Sequence, residues 1–324
     1  MRRLLVSRAA QSAVVIALVA TLAFVLIHLA PGDPFSTSLD DPRVGSEIRD
    51  RQRALFGYDR PLPEQYVRWV GNLARGELGY SHTLGSPVAE VLRDTVPHTL
   101  LLMGTALVLG LIGGVALGTW QASRRGSVAE HAAGAAILFA LSVPEFLLAL
   151  GALALFAIHL RWLPVSGMVD PAMHDSMGLV RRVADVVRHL ALPAGTLALV
   201  TAAGVSRYQR TAVLAVLPED FLRSARAKGA RRSVVLVRHA LRNALGPLIA
   251  ICGLLLPALL GGAVVVERIF AWPGMGRMMV DAVGGRDYPL VLAGVLAGSV
   301  LVAVGGAAAD VLASLADPRL RNRT

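Results

Sequence analysis

Six apolar runs divide this chain, each long enough to cross a bilayer as one helix: Gln11–Ala30, Val96–Gln121, His131–His159, Leu190–Leu214, Leu245–Val266 and Tyr288–Leu315. A hydrocarbon core about 30 Å thick takes about 20 helical residues to span. Composition agrees. The 324 residues are 55% hydrophobic and 17% charged, with a mean hydropathy of +0.59, whereas soluble domains average about 25% charged. The expected fold is an all-α integral membrane protein with six transmembrane helices. The first run follows Arg2, Arg3 and Arg8; it is long for the core of a cleaved signal peptide and reads as the first span.

The formal charge of +10 would suit nucleic acid, but the basic residues flank apolar runs, as an inside-positive bias requires. With both termini inside, the cytoplasmic pieces are Met1–Ala10, Ala122–Glu130, Ser206–Ala244 and Ala316–Thr324, and they hold 17 Lys/Arg. The outer loops, Pro31–Thr95, Leu160–His189 and Glu267–Asp287, hold 15 over a much greater length. Four acids lie inside (Glu130, Glu219, Asp220, Asp317) against sixteen outside. Basic density near short loops sets orientation, so both termini are predicted to be cytoplasmic.

Several chemistries are not signalled. The lone lysine, Lys228, lies between Ala227 and Gly229, so there is no Gly-Lys-Ser/Thr loop to cradle phosphates. No His-Glu-x-x-His or Cys-x-x-Cys pattern is present, and no metal site is expected. Cys252 is a small packing residue in an apolar run. Two acids, Glu145 and Asp310, fall within predicted spans, each costing about 2.5–3.5 kcal/mol at a helix centre. They are either proton or substrate contacts, or structural. In the structural reading, Asp310 meets an arginine at the inner end of the last span, and Glu145, after the helix-breaking Pro144, faces a wet interior. Gly110, Gly113, Gly114 and Gly118, and later Gly294, Gly298, Gly305 and Gly306, suit close helix packing.

The most informative polar stretch runs from Pro218 to Pro247. Pro218 suits a first helical position. Glu219 and Asp220 then occupy the first turn and Arg226 and Lys228 the last, matching the helix dipole. Gly229 is the expected stop. Phe221, Leu222 and Ala225 fall on one side, and Arg223, Arg226 and Lys228 largely on another. An amphipathic helix of this kind at a membrane surface can be a simple interfacial anchor. The residues also resemble the cytoplasmic coupling loop of ABC-importer permeases, whose motif is Glu-Ala-Ala, three residues, Gly. Ala225 and Gly229 match, while Arg223 and Ser224 depart as they do in the peptide-importer branch, and His239 to Leu245 matches that branch too.

Two further stretches extend the resemblance. Tyr58–Tyr66 and Arg75–Ser81 are similar to the extracytoplasmic insert of peptide- and nickel-importer permeases. Glu267, Phe270, Trp272, Pro273, Gly274 and Gly276 reproduce the branch's Glu-x-x-Phe-x-Trp-Pro-Gly-x-Gly element, and Asp317-Pro318-Arg319 its ending. The resemblance implies a type I ABC importer permease fold of the dipeptide/oligopeptide branch, first-permease type. Residues 1–30 form the first helix, 31–95 the outer insert, 96–315 the permease core with a coupling segment at 218–233, and 316–324 the tail.

What this resemblance implies is a pore-forming subunit with no chemistry of its own. It would work beside a second homologous permease, two ATP-binding domains that carry the ATP and Mg, and an extracytoplasmic substrate-binding protein, in a bacterial inner membrane. Glu219, Asp220, Phe221, Leu222, Arg223, Ala225, Arg226, Lys228 and Gly229 would dock on the ATPase, with Phe221, Leu222 and Ala225 filling its groove. The Glu267–Gly276 element would form an outer turn beside the translocation path. The same machinery can carry nickel chelates or glutathione. A different class of reading is an ion-driven secondary transporter with Glu145 and Asp310 as carriers.

Overall fold

The computed structural model describes residues 2–29, 59–246, 248, 255, 259 and 263–316. Cys252, most of the predicted fifth span, residues 31–58 of the insert and Asp317-Pro318-Arg319 lie outside the described residues, so the expected count of six spans reaches beyond them. Four described helices are long and apolar enough to span: α1 (Arg2–Leu29), α3 (Val88–Ser123), α6 (Leu179–Val216) and α10 (Tyr288–Ala316). Between α1 and α3 lie α2 (Leu62–Ala74) and a two-stranded antiparallel hairpin of β1 (Tyr80–Ser81) and β2 (Ser86–Pro87).

The third predicted span is broken. α4 (Val128–Ser142) and α5 (Glu145–Ala152, prolonged by π-helical turns at Leu153–His159) meet at 104°. The cause is Pro144, which lacks an N–H and drives its predecessor out of helical geometry. Val143 and Pro144 are extended, with ψ of 127° and 137°. α6 begins eleven residues before the predicted Leu190, because Leu179–His189 is amphipathic rather than apolar. Val180, Val183 and Val187 on one face alternate with Arg181, Arg182 and Arg188.

α3 and α6 form the central pair, packed along most of their length. The contact is made by glycine, as the small-residue pattern predicts. A Cβ on Gly110 would lie 2.6 Å from Thr201, on Gly114 2.6 Å from Val205, and on Gly118 2.4 Å from the Ser206 carbonyl. Both lists ascend, so α3 and α6 run parallel. α1 and α10 run antiparallel instead: Arg8 pairs with Asp310 at 2.9 Å, and at the far end the rings of His28 and Tyr288 are 5.4 Å apart. The beginning of α1 and the close of α10 therefore share one end of the bundle. Val88 at the start of α3 packs with Leu290 and Val291 at the start of α10, which places the close of α3 at that same end.

Candidate functional site

Two clusters lie at opposite ends of this bundle. Beyond the close of α6, Leu217 and Pro218 make a turn and α7 (Asp220–Ala227) follows. Pro218 is thus outside the helix rather than at its first position. Glu219 is the boundary residue, and its carbonyl accepts from Leu222 N at 3.0 Å. The stop is as expected. Gly229 has φ +79°, and Ala230 N donates to the Ala225 carbonyl at 3.2 Å, which is the six-to-one bond of a Schellman closure. The chain then re-enters helix at Arg232–Val234, widens into π-helical turns at Val235–Ala240 and resumes α geometry at Leu241–Ala244; together these make α8.

The apolar side of α7 faces its own chain. Leu222 is fully buried with Val235 and Ala240, and Ala225, Val216, Leu217, Ala230 and Leu236 pack around them. Leu222, expected to fill a groove on another protein, is thus taken up by its own chain, and burial of this face supports an 8-residue helix that would be marginal alone. The outward surface is Phe221, 43% exposed, with Asp220, Arg223, Ser224 and Lys228. Arg223 and Asp220 are 3.4 Å apart and largely solvated, a pair of little energetic weight. The Arg226 side chain lies outside the described residues. Ala122 at the close of α3 packs with Val213 and Ala244. The whole knuckle therefore sits at the end of the bundle that holds the start of α1 and the close of α10.

The second cluster lies at the other end. Residues 263–269 are helical, Phe270 to Gly274 turn the chain with Ala271 at φ +50°, and α9 (Met275–Gly284) follows. The signature residues there are buried within this chain: Glu267 and Trp272 are fully buried and Phe270 is 2% exposed. Glu267 acts on the start of α9. Its Oε2 accepts from Arg277 N at 3.0 Å, and its carboxyl also accepts from the Gly276 N–H. Met275 N donates to Thr99 Oγ1 at 2.7 Å, and that hydroxyl donates to Glu267 Oε1 at 2.7 Å. Three N–H groups that a helix leaves open are thus closed by side chains from two other elements.

The glycines of the signature make this approach possible. A Cβ on Gly274 would fall 2.2 Å from the Glu267 carboxyl carbon, and one on Gly276 would fall 2.7 Å from Val264 Cα. Trp272 Nε1 donates to the His98 carbonyl at 3.0 Å, and His98 Nδ1 lies 3.1 Å from the Pro273 carbonyl. Beside the cap, a cavity of about 430 Å³ is lined by Thr99, Glu267, Met275 and Gly276, with Val15, Gly294 and other residues of α1 and α10. Asp287 makes a comparable anchor. It is fully buried and accepts from Ser81 Oγ at 2.6 Å, Thr83 N at 3.1 Å and Thr83 Oγ1 at 2.8 Å, which ties the hairpin to the start of α10.

Thr99, His98, Ser81 and Thr83 were not singled out from the sequence. The signal was slight: His98 and Thr99 are polar residues inside an apolar run, and Ser81 ends the stretch that resembles the outer insert. Glu130, read as a topology acid, joins Arg210 through Nε at 2.9 Å. Of the two acids inside spans, Asp310 has its arginine, Arg8. Glu145 stands at the first position of α5, where the dipole favours an anion. Its Oε1 accepts no hydrogen bond among the described residues.

Comparison with known proteins agrees with this architecture. Residues 114–322 match the family described as binding-protein-dependent transport system inner membrane component, and residues 1–103 match that family's N-terminal model. The oligopeptide transport system permease protein AppB of Bacillus subtilis is 38% identical over 300 residues, covering 92% of this chain and 93% of that one. The di/tripeptide transport system permease protein DppB of Pseudomonas aeruginosa is 38% identical over 320 residues, covering 94% of each. An inward-facing structure of the MetNI methionine ABC transporter shares the fold at a TM-score of 0.54 and 17% identity, over 70% of this chain and 96% of that one. The fold is that of a type I ABC importer permease. The chain belongs to the family of binding-protein-dependent transport system inner membrane components.

Proposed function

We propose that this permease forms half of a pore that imports di- or oligopeptides, and that its α7 knuckle is gripped by an ATP-hydrolysing subunit. The cargo follows the names of its relatives. A homologous permease supplies the other half of the pore, two ATP-binding domains carry the ATP and Mg, and an extracytoplasmic binding protein delivers the peptide. Both termini are cytoplasmic in a bacterial inner membrane, on the Lys/Arg density. The observation that carries the reading is a short, tightly closed helix at the end where α1 starts and α10 closes, with a large apolar side chain, Phe221, facing out.

In this mechanism α7 is a rigid lever. Leu222 and Ala225 seat it on α8 and the end of α6, so force on Phe221 and its neighbours moves those helices as a body. Rocking of packed helices between two states is alternating access, biased by nucleotide on one side and loaded binding protein on the other. Gly229→Val tests it. A β-branched residue at φ +79° is strained by about 1–3 kcal/mol, too little to prevent membrane insertion but enough to displace the knuckle. The expected result is abolished peptide uptake in cells at normal membrane levels of the protein. Normal uptake in this variant would overturn the coupling role.

Ion-driven carriage makes a separate prediction. Asp310→Asn is expected to cost no more than about 1 kcal/mol, the ceiling for an exposed pair, and to leave ATP-driven uptake by reconstituted transporter standing, as is Glu145→Gln. Loss of uptake in both variants, with ATP hydrolysis intact, would favour the two acids as ion carriers.

A further inference from the structure

α2 is an amphipathic helix with one apolar flank uncovered among the described residues. At 100° per residue, Leu62, Tyr66, Val67, Trp69, Val70 and Leu73 occupy an arc of about 160°, while Glu64, Arg68 and Asn72 lie opposite. One edge of that arc, Trp69 and Tyr66, is seated on α1. Tyr66 Oη and Thr21 Oγ1 are 2.8 Å apart, Trp69 stacks on Phe24 at 5.4 Å, and Tyr66 meets the same ring edge-on at 5.2 Å. The other edge is bare: Val67 is 68% exposed and Val70 39%.

The seat on α1 fixes the depth of α2. Thr21 lies eight residues, or about 12 Å, from the last residue of α1, Leu29, and Phe24 about 7.5 Å from it. Phe24, which meets both rings, therefore sets α2 about one and a half turns inside the end of α1, near the boundary of headgroups and acyl chains, with Tyr66 reaching further in to Thr21. The polar side carries an ion-pair ladder, with Glu64 bridged by Arg60 and, at 3.3 Å, by Arg68. Tyr and Trp at this level are the side chains that favour the interface, and an apolar flank sunk about 5–10 Å into that boundary is how an interfacial helix binds. α1 itself leaves Leu22, Leu26 and Leu29 more than half exposed beside it, as a lipid-facing span does.

We infer that α2 is a lipid-binding helix that lies in the leaflet at the C-terminal end of α1, with Val67 and Val70 among the acyl chains. This rests on the reading of α1 as a membrane span. Anchored in this way, the insert that carries α2 and the hairpin is held to the membrane plane as well as to Asp287.

The test uses the complete transporter in phospholipid nanodiscs. Cys252→Ala removes the native thiol, and single nitroxide labels are placed at Val67→Cys, Val70→Cys, Glu64→Cys and, on α1, Leu22→Cys. Collision with oxygen reports lipid, and collision with a water-soluble nickel chelate reports solvent. The expected result is oxygen preference at 22, 67 and 70 and nickel preference at 64. Nickel preference at 67 and 70, with 22 still in lipid, overturns the inference and spares the span. Shielding of 67 and 70 from both probes overturns it in favour of a protein partner. Nickel preference at 22 overturns the span and the inference together.

Discussion

Glu267→Ala is expected to unfold the end of the protein that holds α9, and to abolish uptake as a consequence. The substitution removes the acceptor for the Gly276 and Arg277 N–H groups and for the Thr99 hydroxyl, with Glu267 and Thr99 both buried. Each unsatisfied buried donor costs about 1–3 kcal/mol, and breaking a buried network of this kind costs about 3–5 kcal/mol in all. A loss of that size is a large part of a typical domain's stability. It would be read as a lowered Tm of the purified complex by tryptophan fluorescence, since Trp272 is in the same turn. Glu267→Gln retains one carbonyl acceptor and should fall between the two. An unchanged Tm for Glu267→Ala would show that α9 is capped by something other than this carboxyl group.

The second large effect is expected at the α3–α6 contact, where neighbouring glycines should respond differently to the same change. Gly118→Ala places a methyl 2.4 Å from the Ser206 carbonyl oxygen and 2.9 Å from Arg210 N. Both are backbone atoms that no rotamer change can move, so the helices must part. Overpacking costs about 1–3 kcal/mol in general, and this site should lie at the top of that range. Gly113→Ala is the control: its nearest neighbour is the Ala202 methyl at 3.6 Å, an ordinary contact. It should be neutral or slightly stabilising, since alanine is favoured over glycine within a helix by about 1 kcal/mol. Thermal unfolding of the two variants side by side decides the matter. Equal losses would mean that the helices do not approach through the Gly118 face.

Much of the architecture was legible because it depends on local chemistry. Apolar length located α1, α3, α6 and α10, since a span must bury about 20 residues whatever its neighbours are. The closure of α7 at Gly229 was readable because only a residue free of Cβ strain takes a positive φ cheaply. The break at Pro144 was half visible: proline announced it, but a composition window still joined the two halves into one span. What was misread is the direction in which residues face. Leu222 looked like a side chain offered to a partner, yet it seats α7 on its own chain. For Glu267, the sequence also did not show that its carboxyl would reach across to close the start of α9.

The sequence by itself therefore determined where the main apolar spans lie, where α7 stops, and that the chain lives in a bilayer, because those outcomes follow from residue type and short-range spacing. Only the tertiary structure decided that Thr99 and Glu267, 168 residues apart, close one helix end, and that Ser81 and Asp287, 206 apart, tie the hairpin to the start of α10. A buried donor must find an acceptor, but nothing local to it says which distant segment will bring one.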